Sequence, residues 1–424
     1  PAAAANSLVP STAFEIDGNF TGAKDWLAPY GPGTTPGGHP TTGLYHLASD
    51  TDLCASDNDD VGGNGVKLDH GPIWGSLTKL VTPSKSDLKS LWLAAEKVDV
   101  AGTFNDIVYA AYERCNADPG SMIASLFFDN GDGVLPSQGG TGDFLMLFEF
   151  NPSKDSSAKL YKYSGGGWNT QLAIPAGAVD VYASQTVGEV AINLTKLNIL
   201  PAGECRTVAV GGQAATASGY DPRSSLIDLI DIAPFTITTC GDLKVDKTAN
   251  VPDDGTAFGY KVFQKDNGVT FDSALIVTGV NANTTAGGQN KVLSADLAVG
   301  QQDTWRNVIA SPDYKVTEDA PLPAGWSLDS IVCTYRDIFA VGYPTREVTL
   351  YADGAYKNAT FSLPPSVLGS TAIPASSCTL RNEFTGITVV KACDGDDAVD
   401  FDFTFDGDPF TLQLGDSQTF PATV

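Results

Sequence analysis

Methionine (2) and histidine (3) are scarce, and basic residues number 25 against 50 acidic ones. The resulting net charge of −25 argues against a nucleic-acid partner, because phosphate recognition needs clustered Lys and Arg. No apolar run reaches the length that spans a bilayer, so no membrane insertion is expected of this segment. No C-x-x-C pair occurs, which leaves zinc and thioredoxin-type chemistry without support. G-x-S-x-G, H-E-x-x-H and Gly-rich phosphate loops are also missing. His39, His46 and His70 fall in Gly/Pro-rich sequence that fixes no ligand spacing, and they read as surface or locally bonded side chains. Paired carboxylates for glycoside hydrolysis stay open, since an acidic chain offers many such pairs.

What is abundant is turn chemistry. Gly (44) and Pro (25), with Thr, Ser, Asn and Asp, crowd between short apolar runs. That is the texture of many strands joined by turns. A length of 424 residues with 42% hydrophobic and 18% charged residues suits two or three folded domains. The Ala-rich start, Pro1 to Ala5, reads as the remnant of a small-residue signal cleavage region, and any anchor is expected outside this sequence. Seven widely spaced cysteines suit disulfides in an oxidising compartment. Sequence order suggests Cys54–Cys115, Cys205–Cys240 and Cys333–Cys378, which leaves Cys393 odd.

Two stretches resemble each other. "LKVDKTANVPDDGTAFGYKVF" from Leu243 matches "ITVVKACDGDDAVDFDFTF" from Ile387, aligning Lys247 with Lys391. Further on, "VGQQDTW" from Val299 matches "LGDSQTF" from Leu414. Such self-similarity marks tandem modules. The expected division is a head over 1–241, a module over 242–385 and a partial, truncated second module over 386–424. Cys393 would then have its partner in the missing half, unless a partner chain supplies the missing strands. In the head, "GDFLMLFEF", "AKLYKY", "GEVAINL" and "APFTITTC" read as strands. "SKSDLKSLWLAAEKV" reads as one helix, capped by Ser84, and "SSLIDLIDI" as helix or strand. The expected fold is all-β: a β-sandwich head with minor helix, followed by immunoglobulin-like sandwich modules.

Specific residues carry a family likeness. "YKVTEDAPLPAGWSLDSIVC" (314–333), "SSCTLRNEF" (376–384) and "ITVVK" resemble the prealbumin-like repeats of Gram-positive surface proteins. They are also similar to the collagen-adhesin B-type modules of pilins and adhesins. The head pieces "FEIDGN", "VYAAYE", "GEVAINLTKLNI" and "SLIDLIDIAPFTITTCG" resemble the N-terminal domain that precedes such repeats in long actinobacterial-type surface proteins. The resemblance implies a secreted, wall-attached stalk or fibre that presents a head. The head departs from the pattern in having its own cysteine pairs.

The resemblance further implies an intramolecular isopeptide bond, from a Lys on a module's first strand to an Asn on its last, promoted by a Glu on a middle strand. Side chains alternate faces along a strand, so the candidates can be tested by parity. Lys247 shares a face with Leu243 and Val245, Glu318 with Tyr314 and Val316, and Asn382 with Leu380 and Phe384. Lys244 falls on the opposite face. A Lys247–Asn382 bond with Glu318 as acid/base partner is therefore expected, and Lys391 is the equivalent lysine of the next module. The plainer alternatives are a rim ion pair between Lys247 and Glu318, or a module stapled by Cys333–Cys378 alone.

Acidic clusters come next. "DNDD" (Asp57, Asp59, Asp60) and "DNGDG" (Asp129, Asp132) place hard oxygen ligands together and make calcium a candidate cofactor of the head, although such strings also form plain turns. Trp26, Tyr30, Tyr45, Trp74, Trp92 and Trp168 could line a sugar-binding face or anchor the core. Core is the expectation for most, while Trp168 within "SGGGWN" is placed in an exposed turn as a ligand contact. The leading functional expectation is a non-enzymatic structural and adhesive protein of the cell surface. Its partners would be a host or neighbouring-cell protein or glycan, or other copies of itself. A polymerised fibre subunit using strand complementation and a secreted carbohydrate-active enzyme are the alternatives.

Overall fold

The computed structural model describes residues 16–17, 44–51, 87–100, 103–129, 142–201, 205–217, 219–224, 226–230, 235–253, 255–266, 270–271, 276–278, 284–285, 292–337, 344–364, 376–392, 400–405, 407–413 and 415–421. Among these residues every regular element is a β-strand. The protein is all-β.

Two sheets share one core in the N-terminal part. The first runs in the order Leu44–Thr51, Leu88–Val100, Thr103–Arg114, Val187–Asn193, Val179–Ala183. The second runs Leu226–Ile230, Thr207–Ala217, Met122–Asp129, Phe144–Phe150, Ser157–Ser164, Gly167–Leu172, with Phe235–Thr238 also on Thr207–Ala217. Leu91, Leu93, Val108 and Tyr112 from the first sheet meet Leu126, Met146, Phe148 and Val208 from the second. Packing there is close. An added Cβ on Gly188 would collide with the buried Phe150 ring, so Gly188→Ala is expected to cost about 1–3 kcal/mol through overpacking, read by denaturant unfolding.

The expected helix is a strand. Residues 90–97 are all buried, because Leu88–Val100 is covered on both faces. Leu91, Leu93 and Ala95 face the shared core, while Trp92 and Ala94 pack with Ile16 and Tyr109 on the other side. A doubly covered strand loses the alternation that distinguishes it from a buried helix. Cross-strand pairing with Thr103–Arg114 along its whole length decides it. The ambiguous "SSLIDLIDI" likewise contains a strand, Leu226–Ile230.

After residue 239 a second pair of sheets shares another core. One runs Thr284–Thr285, Gln302–Ile309, Cys240–Ala249, Ser376–Phe384, Trp326–Arg336, Thr345–Ala352, Ala355–Tyr356. The facing sheet runs Ile276–Thr278, Val292–Ala298, Ala257–Asp266, Ser311–Glu318, Phe361–Leu363, with Thr270–Phe271 on Ala257–Asp266. Leu243, Val245, Trp305 and Leu380 meet Tyr260, Tyr314, Val316 and Phe361 between them. Cys240–Ala249 and Ser376–Phe384 pair in parallel, with Leu243 opposite Ser376 and Ala249 opposite Asn382.

The C-terminal residues form two small ladders: Gly386–Val390 with Ser417–Pro421, and Phe401–Phe405 with Asp408–Leu412. Here the internal repeat becomes structural. Lys247 N–H donates to Gln301 O (2.9 Å) and Gly300 N–H to Lys247 O (2.9 Å). Lys391 N–H donates to Asp416 O (3.0 Å) and Gly415 N–H to Lys391 O (3.0 Å). Gly300 and Gly415 hold the same left-handed turn, with φ of 81° and 87°, which a side chain would strain. Both lysine Nζ atoms lie over a phenylalanine ring, Lys247 over Phe258 at 4.3 Å and Lys391 over Phe401 at 3.7 Å.

Candidate functional site

The strand that carries Lys247 alternates buried and half-buried residues from Leu243 onward. The strand that carries Asn382 alternates in the same way. Both belong to one sheet and run side by side. Glu318 closes the facing sheet's strand Ser311–Glu318, opposite Tyr260. Inward parity from three strands thus delivers an amine, a carboxyl and a carboxamide to one place between the sheets. Lys247, Glu318 and Asn382 are 1%, 7% and 0% exposed. Lys244, on the other face, pairs with Asp246 at the surface.

Lys247 Nζ donates to Glu318 Oε1, and Asn382 Nδ2 donates to the same oxygen at 3.1 Å. Asn382 Oδ1 and Glu318 Oε2 are buried without a hydrogen-bond partner. Orphaned oxygens of this kind are costly in a dry interior. Burial is also the largest influence on both charged groups. It lowers the Lys247 pKa against the opposing pull of Glu318. It raises that of Glu318 against the pull of Lys247 and the Asn382 amide. Both directions favour a neutral amine beside a neutral acid. The protonated acid has a hydrogen to offer the carboxamide oxygen, which a half-turn of the Asn382 amide brings round to it. A neutral amine beside a polarised carboxamide is the arrangement that acyl transfer to nitrogen requires.

Residues outside the expected trio complete the site. The Phe258 ring walls off Lys247 Nζ. One step along its strand, the Tyr260 hydroxyl accepts from Trp305 Nε1 (2.7 Å) and donates to Asp303 Oδ2 (2.8 Å). Burial pushes the Tyr260 and Asp303 pKa values upward. The alternation in "AFGYKVF" carries the signal for Phe258 and Tyr260, whereas the Trp–Tyr–Asp chain joins different strands and has no local signature. A cavity of about 700 Å³ opens on Glu318, with Asp319, Trp326, Tyr351 and Tyr356 in its lining. It offers a small molecule a route from the trio to water.

Two expected disulfides are present, Cys205–Cys240 and Cys333–Cys378. Cys115 is disulfide-bonded, while Cys54 and Cys393 lie outside the described residues. Of the calcium candidates, Asp57, Asp59, Asp60 and Asp132 also lie outside them. Asp129 ends the strand Met122–Asp129 and is buried. Trp168 departs from expectation. It is 4% exposed and packs on Phe127 and Tyr163. The glycines do make a turn, with Gly165 and Gly166 at positive φ, but the strand Gly167–Leu172 begins at once and aims Trp168 onto the sheet's outer apolar cluster.

No family model matches the sequence, and no curated protein matches it either. Solved structures overlap with it at low scores. The major pilin protein of Streptococcus pyogenes serotype GAS131465 is 10% identical, with a TM-score of 0.21 over 62% of this chain and 90% of that one. A second S. pyogenes major pilin, from serotype GAS13637, is also 10% identical, with a TM-score of 0.22 over 64% and 94%. The Bacillus anthracis TIE protein gives 9% identity and a TM-score of 0.17 over 81% and 69%. Superposition at this level leaves function to be read from the chain's own residues.

Proposed function

We propose that the chain is an extracellular, non-catalytic structural protein of the cell surface, a stalk of β-sandwich modules presenting an adhesive head. Residues 1–241 are the head, 242–385 one module and 386–424 part of a second. In the complete module, Lys247 is joined to Asn382 by an isopeptide bond that Glu318 promotes. The observation that carries this reading is the buried trio, because a permanent internal amide serves durability outside the cell and no turnover of substrate. An acidic shell, disulfides and the repeated lysine setting at Lys391 support it.

The step balances without a co-reactant. Neutral Lys247 Nζ attacks Asn382 Cγ while Glu318 donates its proton to the carboxamide. Glu318 relays that proton from the oxygen of the tetrahedral adduct to the carboxamide nitrogen, which leaves as ammonia as the C=O re-forms. The amine's surplus proton returns to Glu318, so the acid is regenerated. Ammonia leaves through the cavity beside Glu318.

Intact mass under reducing conditions tests the proposal. The purified chain is expected to weigh one ammonia less than its reduced sequence, and a proteolytic digest should yield a branched peptide containing Lys247 and Asn382. A full-weight chain, or separate linear peptides, would remove the cross-link from the reading.

A further inference from the structure

The two sheets that hold the trio meet mainly through apolar side chains, Leu243, Val245, Tyr314 and Val316 among them. Such contacts are non-directional and fix no particular offset between the sheets. One buried network is directional. Tyr260, on the strand Ala257–Asp266, accepts the Trp305 Nε1–H at 2.7 Å and donates its hydroxyl hydrogen to Asp303 Oδ2 at 2.8 Å. Trp305 and Asp303 both belong to Gln302–Ile309 in the opposite sheet, and all three residues are buried. Hydrogen bonds of this length tolerate little displacement, and a satisfied buried network holds its core in one arrangement.

Two members of this network border the trio. Tyr260 is the ladder partner of Glu318 and stands two residues beyond Phe258, whose ring lies 4.3 Å from Lys247 Nζ. Asp303 is the ladder partner of Val245, which lies two residues before Lys247 on the same buried face. The bridge therefore joins the strand pair that presents Glu318 and Phe258 to the strand pair that presents Lys247. Asn382 is tied in as well, because its strand runs beside that of Lys247. Polar groups at these positions cost desolvation that apolar side chains would avoid, and the amine–acid–carboxamide chemistry consumes none of their protons.

We propose that Tyr260, Asp303 and Trp305 are positioning residues for the cross-link, their hydrogen bonds setting the offset between the facing sheets at which Lys247 and Glu318 meet the Asn382 carboxamide. This inference rests on the cross-linking reading above. The network acts through the backbone of its strands rather than on the reacting atoms. Attack on a carbonyl carbon is steeply sensitive to placement, and a shift of about 1 Å can cost about a hundredfold in rate. Without the Tyr260 hydroxyl the apolar core and the trio both remain, but the gap between the sheets is no longer fixed.

Cell-free synthesis of the full chain, followed over time by intact mass under reducing conditions, reads the rate of ammonia loss. Tyr260→Phe keeps the ring and removes the bridge, and Asp303→Leu removes its acceptor. Both are expected to fold yet to lose ammonia about ten- to a hundredfold more slowly than the parent. Asp303→Asn still offers an oxygen to the Tyr260 hydroxyl and should link at the parent's rate. Ile331→Ala removes buried apolar contact from the same core and destabilises it at least as much, yet it too should link at the parent's rate. A parent-like rate in Tyr260→Phe, or equal slowing in Ile331→Ala, would overturn the proposal. So would an Asp303→Asn chain as slow as Asp303→Leu, because charge rather than the hydrogen bond would then be responsible. Should Tyr260→Phe not fold, the two Asp303 variants carry the same comparison. A parent that never loses ammonia removes the cross-link itself, whereas a promptly linked parent matched by Tyr260→Phe removes only the positioning role.

Discussion

The Glu318→Ala chain is expected to carry its full sequence mass and to unfold well below the parent. Without the acid, nothing polarises the Asn382 carboxamide, and the Lys247 amine is left buried with no counter-charge. A buried amine left without its hydrogen-bond partner costs about 1–3 kcal/mol, and losing the covalent tie between two strands adds to it. Asn382→Ala separates these contributions, because it abolishes the bond while keeping Lys247 against Glu318. It should therefore be full-weight yet less destabilised than Glu318→Ala. Its stability should also depend on pH where the parent's does not. The folded-state pKa of Lys247 lies below its ordinary value, so across that gap the unfolded chain binds more protons. The variant gains stability relative to the parent as pH rises through the gap, up to the ordinary lysine range. In a cross-linked parent the amine has become an amide and cannot titrate. Equal masses and equal pH profiles for parent and variants would mean that the trio is only a buried ion pair.

The second large effect belongs to Cys333–Cys378, which ties the strand Trp326–Arg336 to Ser376–Phe384 across a sequence separation of 45 residues. Loop-closure entropy gives such a bridge about 4 kcal/mol. The double Cys333→Ala, Cys378→Ala change is best measured in the Asn382→Ala background, where no amide constrains the unfolded chain. Denaturant unfolding should show a loss near that size there. In the parent background the loss should be smaller if the proposed amide forms, since it would restrict the unfolded loop containing both cysteines, and constraints that share a loop are not additive. A loss within about 1 kcal/mol in the Asn382→Ala background would refute the entropic account.

The trio was legible because its three strands each have one face in the core and one toward water. In "LKVDK" the buried Leu243, Val245 and Lys247 alternate with half-buried Lys244 and Asp246, and parity alone then aims Lys247 inward. In the head the same logic failed where both faces are covered. Around Trp92 there is no polar beat to read, since Leu91, Leu93 and Ala95 meet one apolar layer and Trp92 and Ala94 another. Trp168 failed for a related reason. Its glycines speak only for the turn, while its burial depends on Phe127 and Tyr163 from other strands.

The parallel pairing of Cys240–Ala249 with Ser376–Phe384 sets how the body between them responds to a stretched chain. The polypeptide enters at one end of this pair and leaves at the other, so tension slides the two strands past each other and loads their hydrogen bonds together rather than one at a time. With Lys247 and Asn382 joined, the load crosses from the entering strand to the leaving one through a single amide. Everything folded between those two residues is then spared the strain, and the module transmits force without lengthening.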